Sequence, residues 1–174
     1  MTTIMGVDIG VTGAVALLED TGELVDVFDT PCLNDGPAKR RTVNAPLLAE
    51  IVFKSHVRLA FVEFVGPRPK EGAVGAFAFG RSRGVIEGVL AAAGIPVEFL
   101  TPPAWKRVIG IAPGKDGAKD AARSEAIRRW PSKASLFARV KDDGRAEAAL
   151  IGLAGLKRER NLHSTEEATK GETQ

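Results

Sequence analysis

The first thirty residues constrain the fold most. Residues 3–9 (TIMGVDI) are an apolar run broken by one carboxylate, Asp8. A short turn from Gly10 to Gly13 leads to a second apolar run, Ala14 to Leu18. Asp20-Thr21-Gly22 is turn chemistry, and Glu23 to Phe28 alternates apolar with polar. Short apolar runs bounded by glycine turns read as strands, and turns this tight join antiparallel neighbours. The chain therefore opens as a three-stranded antiparallel meander, not as a strand–helix unit.

Beyond it the pattern changes. Residues 31–43 are polar and read as a loop. Leu47, Leu48, Ile51 and Val52 predict a helix from Pro46 to Lys54 with Asn44 as its N-cap. Residues 57–65 (VRLAFVEFV) predict a buried strand carrying Glu63, and Gly66 to Lys70 a loop. A glycine-rich helix is expected over 73–93, a short strand over 97–100, and helices near 103–109 and 117–130, the last stopped by Pro131. Ala146, Ala149, Leu150, Leu153 and Ala154 share one face of a final helix over 145–156. A meander followed by alternating helix and strand makes an α/β domain: a five-stranded mixed sheet, three strands antiparallel and two parallel, flanked by helices. The domain is expected to span 1–156, with 157–174 a polar, frayed tail.

The chain has 174 residues, enough for one domain with a real core and too few for two large lobes. It has no apolar run long enough for a membrane span and no secretion signal at its start. Its single cysteine, Cys32, suits a reducing compartment, so a cytoplasmic location is expected. The formal net charge is only +2, but its distribution is uneven. Residues 1–30 carry Asp8, Glu19, Asp20, Glu23, Asp26 and Asp29 with no Lys or Arg. Residues 101–133 carry eight basic residues against three acids. Solvated helix faces would explain such a pattern, and so would a nucleic-acid surface.

Asp8 and Glu63 stand out because each interrupts an apolar strand, and an unpaired buried carboxylate costs several kcal/mol. Both lie near the C-terminal ends of their strands, where sites in α/β sheets collect. In KDDGRAEAALIGLAGL, Asp143 and Glu147 are four residues apart, about 40° on a helix, and share a face; Asp142 and Glu147 are about 140° apart and fit less well. Asp143 also suits the N-cap of that helix. Four carboxylates in one place repel. Two divalent cations are the natural counter-charge, and hard oxygen donors without His or Cys favour Mg²⁺ or Mn²⁺. Two such ions about 4 Å apart support phosphodiester hydrolysis. Neither His56 nor His163 is assigned to chemistry.

Taken in order, DIGVTGAVALL, VEFV, FGRSRGVIEGVLAAAGIPVEFLTPPAWKRVIG and DDGRAEAALIGLA resemble the RuvC family of Holliday junction resolvases, closest to its short phage and prophage members. The resemblance covers about residues 4–156. It implies an RNase H-like fold and a homodimer that cuts two opposing strands of a four-way DNA junction. It implies Asp8, Glu63, Asp143 and Glu147 as catalytic metal ligands, Mg²⁺ as cofactor with Mn²⁺ able to replace it, and basic residues flanking the site. The family commonly has an Asp three residues after the preceding ligand in the last helix. Here the spacing is four and the final acid is Glu147, which leaves Asp142 and Asp143 both open as the partner. The aromatic that opens the junction in well-studied members has no counterpart in Gly66-Pro67-Arg68-Pro69-Lys70, which leaves either Phe64 or no residue for that role.

Arg68, Lys70, Arg81, Arg83, Lys106, Lys119 and Arg123 are the candidate DNA contacts, with Lys119 and Arg123 one helical turn apart. Trp105 reads as core. Gly80, Gly84 and Gly88 form a flat stripe on the glycine-rich helix, suited to close approach by another backbone. D-x-G-x-T-G, here Asp8 to Gly13, is also a phosphate-binding turn of actin-like kinases, but those need a second lobe for which this chain is too short. The alternatives that remain are a non-catalytic junction-binding protein and an RNase H-like nuclease acting on flaps, forks, three-way junctions or RNA–DNA hybrids.

Overall fold

The computed structural model describes residues 3–66, 72–112 and 118–171, with the side chains of 118, 119, 163 and 165–171 outside the description. The meander forms as expected: β1 (Thr3–Asp8), β2 (Ala14–Glu19) and β3 (Leu24–Asp29) pair antiparallel in sequence order. β6 (Val57–Glu63) lies parallel to β1 on its other side, and β7 (Val97–Leu100) lies parallel to β6. The sheet order is β3-β2-β1-β6-β7, so β1 is central.

Two helical layers cover the sheet. On one face α1 (Ala45–Lys54) and α2 (Ala73–Ala92) bury Leu48, Val52, Ile86 and Leu90 against Met5, Val7, Ala60 and Val62. Asn44 caps α1, its side chain accepting from the Leu47 N–H at 3.3 Å. On the other face lie α3 (Pro102–Ile109), α4 (Ala118–Arg129) and α5 (Asp143–Gly171), which cover Ile4, Leu18, Leu59 and Phe61. α5 sits unusually close to the sheet. A Cβ added to Gly152 would stand 2.7 Å from Leu18 Cδ1 and 3.2 Å from Gly6 Cα, and one added to Gly155 would stand 2.1 Å from the Phe61 ring. Only glycine permits this contact, and it fixes where the start of α5 falls on the sheet. None of the described helices is long and apolar enough to cross a membrane.

The structure differs from expectation in three places. The polar loop over 31–43 contains a second, two-stranded antiparallel sheet, β4 (Cys32–Asp35) and β5 (Arg40–Val43). Each strand is four residues long and largely exposed, so no hydrophobic alternation reveals it; the Asp35-Gly36 turn signal was its only trace. α4 ends before Pro131 as expected, but the segment beyond, for which the pattern predicts no element, forms 3₁₀ turns, Pro131–Phe137 and Val140–Asp142. Finally, α5 does not end near Leu156. Its apolar stripe stops there, yet the segment expected to be frayed is helical to Gly171. Lys157 to Arg160 are good helix formers, and Arg58 anchors them by pairing with Glu159 at 2.7 Å and Asp20 at 2.8 Å.

Candidate active site

Asp8 closes β1 and Glu63 closes β6. Their parallel register pairs Gly6 with Phe61 and Val7 with Val62, so one step further puts Asp8 beside Glu63 on adjacent strands, about 5 Å apart. Side chains alternate along a strand. Asp8 therefore follows Ile4 and Gly6, and Glu63 follows Leu59 and Phe61, onto the face covered by α5. Glu63 is 9% exposed. Trp105 of α3, fully buried, donates its indole N–H to Glu63 Oε1 at 2.9 Å. The residue read from sequence as core packing is core, and it also holds a site carboxylate.

α5 meets this edge with its first turn. A Cβ on Gly144 would stand 2.6 Å from the Thr12 carbonyl and 3.1 Å from Asp8 Oδ2, so the helix start rests against Asp8 and the turn after it. Gly144, Ala148, Gly152 and Gly155 form the seam against the sheet. On one side of the seam Arg145 reaches across to β3, bonding Asp29 Oδ1 at 2.5 Å and Oδ2 at 2.7 Å. Asp143 and Glu147 border the seam on its opposite side, toward β6, and both are half-buried. Four carboxylates from three elements thus approach one end of the sheet.

Asp142 is committed elsewhere. It is 2% exposed, accepts from the Arg139 backbone N–H at 2.8 Å, and pairs with the Arg139 guanidinium at 2.8 Å. Burial pushes its carboxyl up, but the bonds and charge of Arg139 outweigh this and hold it below the ordinary value of 3.8. Asp142 closes the 3₁₀ turn that leads into α5. Asp143 has helical angles, φ −55° and ψ −46°, and is the first residue of the helix, not its N-cap. Among the described residues no group of three or more His, Cys, Asp or Glu side chains stands where it could hold a metal ion. The four acids offer oxygen donors alone, the chemistry that suits a hard divalent ion.

The predicted DNA contacts fare differently from one another. Arg68 and Lys70 lie outside the described residues, as does the side chain of Lys119 in α4. Arg81 is ion-paired with Asp35 of the β4–β5 hairpin. Arg83 bonds Glu87 at 2.5 Å and lies over the rings of Phe64 and Phe99, at 4.7 Å and 4.9 Å from their centroids. Phe64 is itself packed edge-on against Phe99 at 5.7 Å. Arg123 pairs with Asp120, and its side chain is only 15% exposed. Lys106, beside Trp105, lies over the indole ring at 5.1 Å. The reading missed the hairpin cations Arg40 and Arg41, both exposed; a segment taken for a loop offered no way to place them near the site.

The sheet order, with a helix start abutting the ends of two parallel strands, defines an RNase H-like α/β fold. The solved structures that share it include RuvC of Thermus thermophilus, with a TM-score of 0.61 at 16% identity over 91% of this chain and 96% of that one. A second is T. thermophilus RuvC in complex with Holliday junction substrate, with a TM-score of 0.59 at 15% identity over 92% and 96% of the two chains. No protein-family model matches the chain, and no curated protein does.

Proposed function

We propose that the chain is a metal-dependent endodeoxyribonuclease that resolves four-way DNA junctions, cutting two opposing strands to leave 5′-phosphate and 3′-hydroxyl ends. The observation that carries this reading is the meeting of Asp8, Glu63 and the first turn of α5 at one sheet edge, in the fold that RuvC also has. Asp8, Glu63, Asp143 and Glu147 would hold Mg²⁺ or Mn²⁺, two ions per site. Bound divalent ions would supply an activated water and charge stabilisation of the leaving oxygen. The protein's own part is positional. The α5 seam holds the first turn of the helix against Asp8, and Trp105 holds Glu63 through its indole N–H.

Paired cutting calls for two sites, and α2 offers a surface for a homodimer. Gly80, Gly84 and Gly88 form an open stripe on α2, where an added Cβ would meet nothing within 4 Å. Such a stripe suits close packing with a second copy of the chain.

A cleavage panel tests the proposal: four-way junction, three-way junction, flap, duplex and RNA–DNA hybrid, each with Mg²⁺. Preferential, symmetric cutting of the four-way junction is expected. Equal cutting of all five would leave a nuclease and remove the resolvase, and selective cutting of the hybrid or flap would support the alternative RNase H-like activities instead.

A further inference from the structure

We propose that the β4–β5 hairpin is a phosphate clamp, in which Arg40 and Arg41 grip the backbone of the DNA strand led to the acidic edge. The inference rests on the nuclease reading above and adds a contact surface to it.

Three observations place the clamp. First, the hairpin is a sheet separate from the main one and lies beside α2, where Arg81 pairs with Asp35 and Val43 joins the core under α1 and α2. Second, a groove runs between it and α2. One part, about 410 Å³, is lined by Arg40, Arg41 and Phe77. The next part, about 260 Å³, is lined by Arg41, by Gly10 and Thr12 from the turn after Asp8, and by Val65 and Gly66 just beyond Glu63. Arg41 and Ala78 belong to both parts, so the groove continues from the hairpin to the two loops that directly follow Asp8 and Glu63, although neither carboxylate itself lines it. Third, the charge there is not neutralised internally. Arg81, Arg83 and Arg123 each have a carboxylate partner. Among the described residues Arg40 and Arg41 are joined to none, although both are exposed.

Unneutralised guanidiniums along a groove that reaches the loops after Asp8 and Glu63 match a polyanion led toward those carboxylates. Arginine presents a planar fork that bonds two phosphate oxygens at once. The groove is also positive where the acidic edge would repel a phosphate, so the clamp offsets repulsion at the approach to the site.

The test is binding of a four-way junction by the whole chain, with EDTA present so that no strand is cut, measured against salt concentration. Each phosphate contact contributes about 0.9 to the slope of log affinity against log salt, or up to roughly eightfold in affinity at 0.1 M. Arg40→Ala/Arg41→Ala is expected to lower the slope by about 1 to 2 per protomer and weaken binding about tenfold or more, with an unchanged melting curve. Arg40→Lys/Arg41→Lys should keep the slope. Arg158→Ala/Arg160→Ala removes two exposed cations on the part of α5 that Arg58 anchors, at the end of β6 opposite Glu63, and should leave the slope alone. An unaltered slope in the hairpin alanine variant overturns the clamp, and so does an equal fall in the α5 variant. If the unaltered protein neither binds nor cuts branched DNA, the nuclease reading fails and the clamp falls with it. Tight binding with an insensitive hairpin removes the clamp alone.

Discussion

Replacing Trp105 with phenylalanine keeps an aromatic in the core while deleting the one indole N–H that reaches Glu63. The bond is 2.9 Å long, Trp105 is fully buried, and Glu63 is 9% exposed, so little water can take the donor's place. A hydrogen bond to a charged acceptor contributes about 1.5–3 kcal/mol, against about 0.5–1.5 for a neutral one. Shrinking the ring system adds roughly 1 kcal/mol for the volume left unfilled. Trp105→Phe should therefore destabilise the metal-free protein by about 2.5–4 kcal/mol. Volume alone could account for part of that, so the decisive measurement is a double-mutant cycle. In a Glu63→Gln background the indole still donates, but to a neutral amide, and the cost of Trp105→Phe should fall by about 1 kcal/mol. Urea denaturation of the four proteins gives the coupling. Additivity within about 0.3 kcal/mol would refute the claim that Trp105 acts on Glu63 as a charged group. Under the proposed function the same variant should also need more Mg²⁺ for half-maximal cleavage, because a loosened Glu63 must be repositioned with each ion bound.

Asp8→Asn should abolish junction cleavage while leaving binding intact in a gel-shift assay; full cleavage by this variant would remove the metal-centre assignment. Glycine-to-alanine changes should split by position in thermal melts. Gly155→Ala forces a Cβ to 2.1 Å from the Phe61 ring and should cost about 1–3 kcal/mol. Gly84→Ala meets open space and should raise monomer stability by up to about 1 kcal/mol, and the same change should weaken dimerisation, read by sedimentation, if α2 is the dimer surface. Arg139→Ala tests Asp142. A carboxyl held below its ordinary value stabilises the fold above about pH 3.8 and loses that contribution as pH falls through its lower folded value. The stability gap between wild type and Arg139→Ala should thus be constant from pH 7 to about 5 and close below about pH 3.8, followed by urea denaturation across that range.

The main sheet was legible because β1, β2 and β6 are buried on both faces and show it in their composition, while β3 mixes buried and exposed residues. VRLAFVE and TIMGVD need no partner to be read as strands, and a carboxylate inside each is conspicuous for the same reason. What could not be read was pairing. The Trp105 N–H finds its acceptor 42 residues away, Arg81 finds Asp35 at a distance of 46, and Arg58 reaches Glu159 across 101. Periodicity describes which face a side chain occupies, never which charge will be opposite it. The cations were therefore chosen from sequence without knowing that Arg81, Arg83 and Arg123 would each be matched by an acid, and the hairpin, whose strands are too short and polar to show alternation, hid Arg40 and Arg41, which among the described residues pair with none.

The glycines show the same asymmetry and explain how the candidate site is assembled. Sequence singled out Gly80, Gly84 and Gly88 for their regular spacing, and the fold leaves them open. It passed over Gly144, Gly152 and Gly155, scattered among alanines and leucines, yet a Cβ at any of them would stand less than 3 Å from a neighbouring atom. A Cβ at 152 or 155 would lift α5 from the sheet, and one at 144 would collide with the Thr12 carbonyl and crowd Asp8. Asp143 and Glu147 have no strand of their own to hold them in place. Their position relative to Asp8 and Glu63 is set by how deeply the helix seats, and hence by residues with no side chain. The acids supply the chemistry that can be recognised in the chain, while the absence of side chains along the α5 seam determines whether those acids meet.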